Sequence, residues 1–221
     1  MAGKGILERC FRVYAAMVVL VAGLSGTAVA GPEEDFLEGM KWAGRVDYVT
    51  AIPHLKKAAD AGHPAAAAVL GSILSDSGYD EEGLKYFRQA ATAGNLPGMY
   101  GLAGMLASVG EGGKKDFVEA KALFEKSAEQ GYAPSVQAMA QAYMLGELGI
   151  PEDQRKGADA LKWIIRAADA GYLRALEVLE QAYRTGDYGL AVDPAKADEM
   201  KKKIASLKPQ VQKKRRRGEA K

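Results

Sequence analysis

The chain has 221 residues, of which 48% are hydrophobic, and its 30 Lys and Arg residues nearly balance 28 Asp and Glu residues. Alanine dominates the apolar set and 26 residues are glycine, while runs of β-branched residues are scarce. This composition argues against an all-β fold and favours closely packed helices that end at glycines. The charges are unevenly spread, because residues 31–207 carry 20 basic and 26 acidic side chains whereas residues 208–221 carry seven and one. We therefore expect an acidic body with a basic tail.

The first thirty residues have the pattern of a secretory signal peptide. Basic residues precede an apolar run at 13–24, and residues 28–30 read Ala-Val-Ala, a signal-peptidase site. The sequence predicts cleavage before Gly31 and a periplasmic or secreted mature protein. An uncleaved membrane anchor is the alternative, since residues 13–30 approach the roughly 18 residues of a short membrane span. Cleavage removes Cys10, the one cysteine, and so excludes disulfides, thiolate metal sites and cysteine nucleophiles from the mature chain.

Four segments of the mature chain repeat one another. Each ends in a glycine, at Gly62, Gly94, Gly131 and Gly171, and these glycines are 32, 37 and 40 residues apart. Spacing by four places a small, a large apolar and a second small residue on one helical face, and the glycine permits the left-handed conformation that ends the helix. The residues concerned are Ala51, Leu55 and Ala59; Gly83, Phe87 and Ala91; Ala120, Phe124 and Ala128; and Ala160, Ile164 and Ala168.

Another helix with small and large packing residues is predicted after each glycine. In chain order, the patterns predict about five antiparallel helix pairs, at 33–62, 65–94, 97–131, 134–171 and 173–207. The first pair is degenerate, because Pro53 is expected to start or kink its second helix. Three lysines at 201–203 make the last helix polar, as the end cap of a repeat stack requires. The predicted domains are a cleavable signal peptide at 1–30, a repeat domain at 31–207 and a disordered basic tail at 208–221.

These residues resemble the Sel1-like repeats, a branch of the tetratricopeptide-repeat superfamily. The resemblance rests on the pattern A-x-x-x-L-G-x-x-Y-x-x-G, whole or degraded at 66–78, 135–146 and 175–186, and on Asp-x-x-x-Ala segments at 116–120 and 193–197. Gly83 departs from the pattern by replacing the usual alanine. The resemblance covers about residues 47–207 and implies an all-α fold, a right-handed α-solenoid of stacked helix pairs.

Catalysis receives little support from the sequence. No motif places a serine and a carboxylate around His54 or His63, so we interpret both histidines as structural or surface residues. No glycine-rich phosphate loop follows a strand and no His-x-x-x-His spacing occurs. The glycines at 101–104 and 110–113 are interpreted as helix packing and a turn. We therefore predict no enzyme activity, no cofactor and no metal site.

By analogy with the superfamily, the first helix of each pair is expected to line a concave binding face. Serine hydroxyls and glutamine amides on this face suit the backbone of an extended peptide. The residues expected to point away from the partner helix are Ser72, Ser75 and Asp76; Tyr100 and Ser108; Gln137, Gln141 and Met144; and Arg174, Glu177, Gln181 and Arg184.

The sequence thus predicts an exported, non-enzymatic adaptor or regulator that binds a protein or peptide partner. A hydrolase of cell-wall or antibiotic substrates, a secreted host-interaction factor and a membrane-tethered scaffold are the alternatives, and the hydrolase is disfavoured because no nucleophile constellation is found. The run Lys-Lys-Arg-Arg-Arg at 213–217 would indicate nucleic-acid binding in a cytosolic protein. Behind an export signal, no nucleic acid is expected, and contact with anionic envelope components, contact with the acidic body and a merely solvated tail stay open.

Overall fold

The computed structural model describes the backbone of residues 31–219 and the side chains of residues 31–207. The predicted signal peptide and its cleavage site lie outside the described residues. Within them the chain forms ten α-helices, two short 3-10 turns and no strand, which confirms an all-α helical-repeat solenoid. The helices are α1 (Pro32–Ala43), α2 (Tyr48–Asp60), α3 (Pro64–Asp76), α4 (Asp80–Thr92), α5 (Leu96–Ser108), α6 (Phe117–Glu129), α7 (Ala133–Leu145), α8 (Ala158–Asp169), α9 (Leu173–Thr185) and α10 (Pro194–Glu219).

Short sequence signals set the helix ends. The side chains of Asp47, Asn95 and Asp116 accept hydrogen bonds from backbone amides in the first turns of α2, α5 and α6. The four repeat glycines after α2, α4, α6 and α8 all have left-handed backbones, with φ between 79° and 89°. The helix ends predicted from these glycines are therefore confirmed.

Pro53 neither starts α2 nor ends it. The helix begins at Tyr48, five residues earlier, and continues through Pro53 to Asp60. The Asp47 carboxylate receives the Thr50 amide at 3.1 Å and the Thr50 hydroxyl at 2.9 Å, so the helix already has its cap before the proline. Of the two effects that the sequence predicts for Pro53, a helix start is wrong, because a stronger start signal precedes it, and a kink stays a prediction.

Small residues allow the helices of a pair to approach closely. Ala51, Leu55 and Ala59 are fully buried at the predicted spacing of four. A Cβ added to Gly71 on α3 would lie 2.9 Å from Cδ1 of Phe87 on α4, so the Phe87 ring occupies the space that the glycine leaves. The alternation of small and large residues thus sets the distance between paired helices.

The chain divides into two compact units, which end and begin at Lys115 and Asp116. In the first unit, α1 to α5 pack successively and α3 also packs against α5. In the second unit, α6 to α10 pack successively. The predicted third pair, 97–131, falls across this division, so that α5 belongs to the first unit and α6 to the second.

The last helix is twice as long as the others. It runs from Pro194 to Glu219, whereas α9 has 13 residues. The described backbone therefore continues as helix beyond residue 207, where the sequence predicts a disordered tail, because lysine, arginine and glutamine are good helix formers. The domain boundary at 207 stays a prediction. No helix within the described residues is long and apolar enough to span a membrane.

Candidate partner-binding surfaces

In the second unit, α7 carries three of the predicted contact residues on one face. Gln137 is exposed, while Gln141 and Met144 are half-buried. The Gln141 amide nitrogen is 3.4 Å from a carboxylate oxygen of Glu147 in the following loop, a long hydrogen bond. Gln137 lies at the surface, and its contact with a partner stays a prediction.

The outer face of α9 combines charged and uncharged polar side chains. Arg174 and Gln181 are exposed, and Glu177 is half-buried. The Arg174 guanidinium is 3.7 Å from the Glu177 carboxylate, one helical turn away. An ion pair of this kind near the surface contributes little to stability.

The sequence predicts that Arg184 points away from its partner helix, and this prediction is wrong. Its guanidinium lies 3.1 Å from the Glu180 carboxylate and 3.0 Å from the Asp198 carboxylate on α10. These hydrogen bonds, first to Asp198 and then to Glu180, raise the pKa of the guanidinium, which is already charged at every physiological pH. Arg184 thus joins α9 to α10.

The first unit contains five of the predicted residues, three on α3 and two on α5. Asp76 is exposed, and Ser72 and Tyr100 are half-buried. Ser75 instead faces α4: its Oγ is buried without a hydrogen-bond partner and lies where a Cβ of Gly83 would stand. The prediction that Ser75 points away from the partner helix is wrong, since it follows the packing residue Gly71 by four positions and shares its face. Ser108, which the sequence also suggested, is exposed and bonds the Gly104 carbonyl oxygen at 2.8 Å.

His63 has a structural role. Its Nδ1 accepts a hydrogen bond from the Ala66 amide at 3.1 Å and so caps the start of α3, while its Nε2 is 2.9 Å from the Glu33 carboxylate. The imidazole also stacks on the Phe36 ring, with centroids 4.4 Å apart. Nδ1 therefore caps α3, while Nε2 and the ring face join α3 to α1.

The sequence interpretation missed one cavity in the first unit. It has a volume of about 360 Å³ and lies between the start of α4 and the loop after α5. Its lining includes the exposed ring of Tyr79, the carboxylates of Asp80, Glu81 and Glu82, and the backbone of Gly110. The glycines at 110–113, which the sequence analysis interprets as a turn, form one side of this cavity.

Within the described residues, no group of three or more His, Cys, Asp or Glu side chains is placed to hold a metal ion. The predictions of no catalysis, no cofactor and no metal therefore remain predictions. The surfaces above present hydrogen-bonding and charged side chains, which are groups able to contact a peptide or protein.

Comparison with known proteins gives a consistent assignment. A family model described as Sel1 repeat matches residues 31–63, 79–95, 96–132 and 134–172, more than half of the chain. No curated protein matches.

Several solved structures share the fold. The crystal structure of a protective antigen present in uropathogenic Escherichia coli strains, displaying an SLR fold, matches with a TM-score of 0.69 and 24% identity, over 80% of this chain and 38% of that one. The chain thus spans less than two fifths of that antigen. A Sel1 repeat protein from Oxalobacter formigenes matches with a TM-score of 0.61 and 23% identity, over 80% and 73% of the two chains. MamA matches with a TM-score of 0.51 and 18% identity, over 79% and 96%. At these identities the likeness concerns the fold.

Proposed function

The chain belongs to the Sel1 repeat family, and we propose that it is an exported adaptor or regulator that binds a peptide or protein. The proposed contact is through the outer faces of the first helices, meaning the sides that point away from the partner helix and are expected to line the concave face. Sel1 repeats commonly act as protein–protein interaction scaffolds and are generally not enzymes. The proposal adds two points to this family role: a location outside the cytoplasm, and a binding surface on the protein.

The observation that carries the proposal is the exposure of uncharged amides on two first helices of one unit. Gln137 on α7 and Gln181 on α9 are both exposed. A glutamine amide both donates and accepts hydrogen bonds, so it matches the alternating N–H and C=O groups of an extended peptide backbone. Arg174 and Glu177 flank this surface with charges that can select the partner's side chains.

The proposed contacts exclude two residues that the sequence had included. Ser75 and Arg184 face the second helix of their own pairs, so their loss would act on packing before binding. The contacts that remain are Ser72, Asp76, Tyr100 and Ser108 in the first unit, and Gln137, Gln141, Met144, Arg174, Glu177 and Gln181 in the second.

A pair of double substitutions tests the binding surface. The mature chain from Gly31, immobilised, is incubated with the exported proteins of the producing cell, and the retained proteins are quantified by mass spectrometry. We expect Gln137→Ala with Gln181→Ala to reduce retention of the specific partner by about tenfold or more, because two hydrogen bonds to the partner are lost.

The matched control changes two exposed glutamines elsewhere in the same unit. Gln130 lies in the turn after α6 and Gln154 in a 3-10 turn, and both are exposed. Gln130→Ala with Gln154→Ala is expected to retain the partner as the parent does. Equal loss in both double variants, or in neither, would show that the outer faces of α7 and α9 are not the binding surface.

The exported location has its own test. N-terminal sequencing of the protein purified from the producing cell is expected to begin at Gly31, and fractionation to place it in the periplasm or the medium. Recovery of residues 1–30 in a membrane fraction would instead support the membrane-tethered alternative.

A further inference from the structure

The last helix, α10, is longer than the neighbouring helix α9. At 1.5 Å per residue, α10 is about 39 Å long and α9 about 20 Å. Within residues 194–207, where the side chains of α10 are described, the buried residues are Ala197, Met200 and Ile204, at spacings of three and four, and α10 packs against α9. About half of the helix therefore extends beyond the length of α9.

This part of the helix carries positive charge without intervening acids. Residues 200–218 contain nine Lys and Arg residues and no Asp or Glu. The acids just before them are already paired, since Asp198 contacts Arg184 at 3.0 Å and Glu199 contacts Lys203 at 2.9 Å. Lys201 and Lys202 are exposed. The basic charge of the helix is therefore not neutralised by its own sequence.

The last five cations occupy consecutive positions of the sequence, residues 213–217. Like charges three and four positions apart repel each other and destabilise the helix. We call residues 208–219 the basic arm. An external surface rich in negative charge would relieve this repulsion.

We propose that the basic arm binds the surface of an anionic phospholipid membrane. Residues 212–219 contain no apolar side chain that would insert into the bilayer, so the attraction is electrostatic. The arm also lacks aromatic residues, on which the bases of a single-stranded nucleic acid would stack. Anionic headgroups can gather around the cations in a fluid lipid surface. Nonspecific attraction to the phosphates of a duplex is electrostatic as well, so the test below includes a duplex oligonucleotide.

Membrane binding by the arm would tether the repeat units and leave the outer faces of α7 and α9 available for a partner. The inference goes beyond the proposed function, since an adaptor needs no membrane contact. The two are also separable, because the test below uses lipid vesicles and no protein partner.

Cosedimentation with vesicles tests the proposal. The mature chain from Gly31 is mixed with vesicles of phosphatidylcholine containing 30% phosphatidylglycerol, or with phosphatidylcholine alone, at low and at high salt. We expect binding to the anionic vesicles only, lost at high salt because the ions screen the attraction. Arg215→Gln, Arg216→Gln and Arg217→Gln together should weaken binding by on the order of a hundredfold.

A triple variant with the same loss of charge is the control. Lys114, Lys115 and Lys126 are exposed, and changing all three to Gln removes three charges away from the arm. This control should bind vesicles within a few fold of the parent. Absence of binding by the parent, equal binding to phosphatidylcholine, equal loss in both triple variants, or tighter binding to a duplex oligonucleotide at the same phosphate concentration would each overturn the proposal.

Discussion

At the residue scale, the first turn carries a valine where the next repeat has a glycine. Val46 has φ of 62°, and its amide donates to the Ala43 carbonyl at 2.9 Å. Gly78 has φ of 85° and donates in the same way to Ser75. A β-branched residue is strained in the left-handed region, which a glycine enters freely. The strain at Val46 is therefore a local cost of the degenerate first repeat.

Replacing this valine should stabilise the protein. Val46→Gly relieves about 1–2 kcal/mol of backbone strain, and the greater entropy of glycine in the unfolded chain offsets about 0.5–1 kcal/mol of that gain. The free energy of unfolding should therefore rise by up to about 1.5 kcal/mol. Denaturant unfolding followed by circular dichroism measures it. The reciprocal Gly78→Val should destabilise. A loss of stability in Val46→Gly would show that the valine side chain, 57% exposed, makes contacts worth more than the strain.

Two buried serines replace a pair of small apolar residues of the other repeats. Ser127 and Ser135 are fully buried, their hydroxyl oxygens are 2.6 Å apart, and the Ser127 hydroxyl also lies 2.9 Å from the Leu123 carbonyl oxygen. The equivalent pairs in other repeats are Ala58 with Ala66, Ala90 with Gly98, and Ala167 with Ala175. The two hydroxyls therefore provide hydrogen-bond partners for each other at a site where the other repeats have no polar side chain.

A double-mutant cycle tests this dependence. Ser127→Ala should cost about 1–3 kcal/mol of unfolding free energy, because it leaves the Ser135 hydroxyl buried without a partner. Ser135→Ala should cost less, since Ser127 keeps the Leu123 carbonyl. The double variant should return to within about 1 kcal/mol of the parent, because both polar groups are then absent. Additive losses in the cycle would contradict the proposed mutual satisfaction.

At the element scale, one position of the repeat carries a side chain that links the second helix of one pair to the end of the second helix of the preceding pair. Five residues before the terminal glycines stand Gln89 and Arg166. The Gln89 amide donates to the Ala59 carbonyl oxygen at the end of α2, and Arg166 donates to the Ala128 carbonyl oxygen at the end of α6 at 2.8 Å. Each carbonyl also accepts a hydrogen bond from the amide of its own repeat glycine, Gly62 or Gly131, so the side chain adds a second hydrogen bond from the next repeat. Adjacent repeats are thus joined by polar contacts as well as by apolar packing.

The Arg166 contact should tolerate glutamine but not leucine. Arg166→Leu should lower the unfolding free energy by about 1–2 kcal/mol, because a charge-assisted hydrogen bond to the Ala128 carbonyl is lost. Arg166→Gln should lose less, since Gln89 makes the same contact in the first unit. Thermal unfolding distinguishes the two variants, with a decrease of a few degrees expected for leucine. Equal Tm values would show that packing alone holds this junction.

At the scale of the whole molecule, the sequence predicted the repeats well because glycine has a physical role at their ends. Gly62, Gly94, Gly131 and Gly171 adopt left-handed backbones that other residues rarely enter, so their recurrence marked each second helix. The surface was harder to predict. Ser75 and Arg184 lie four residues after the packing positions Gly71 and Glu180 and share their faces, a relation that the sequence contained but the choice of outward residues overlooked.

Two other features had no sequence signal of comparable strength. The division at Lys115 depends on how the helices of the third predicted pair pack, which local periodicity does not encode. The length of α10 depends on helix propensity in a charged segment, and the sequence alone favoured disorder there. Both follow from packing and charge over many residues and not from a motif.

The measurement that tests the central claim most directly is site-specific photocrosslinking in the producing cell. A photoreactive residue is placed at Gln137 or Gln181, and at Gln130 or Gln154 as controls. The account predicts an adduct with one partner protein from both first-helix positions and none from the control positions. Adducts from the control positions alone, or no adduct at Gln137 and Gln181, would contradict the claim that this protein binds its partner on the outer faces of α7 and α9.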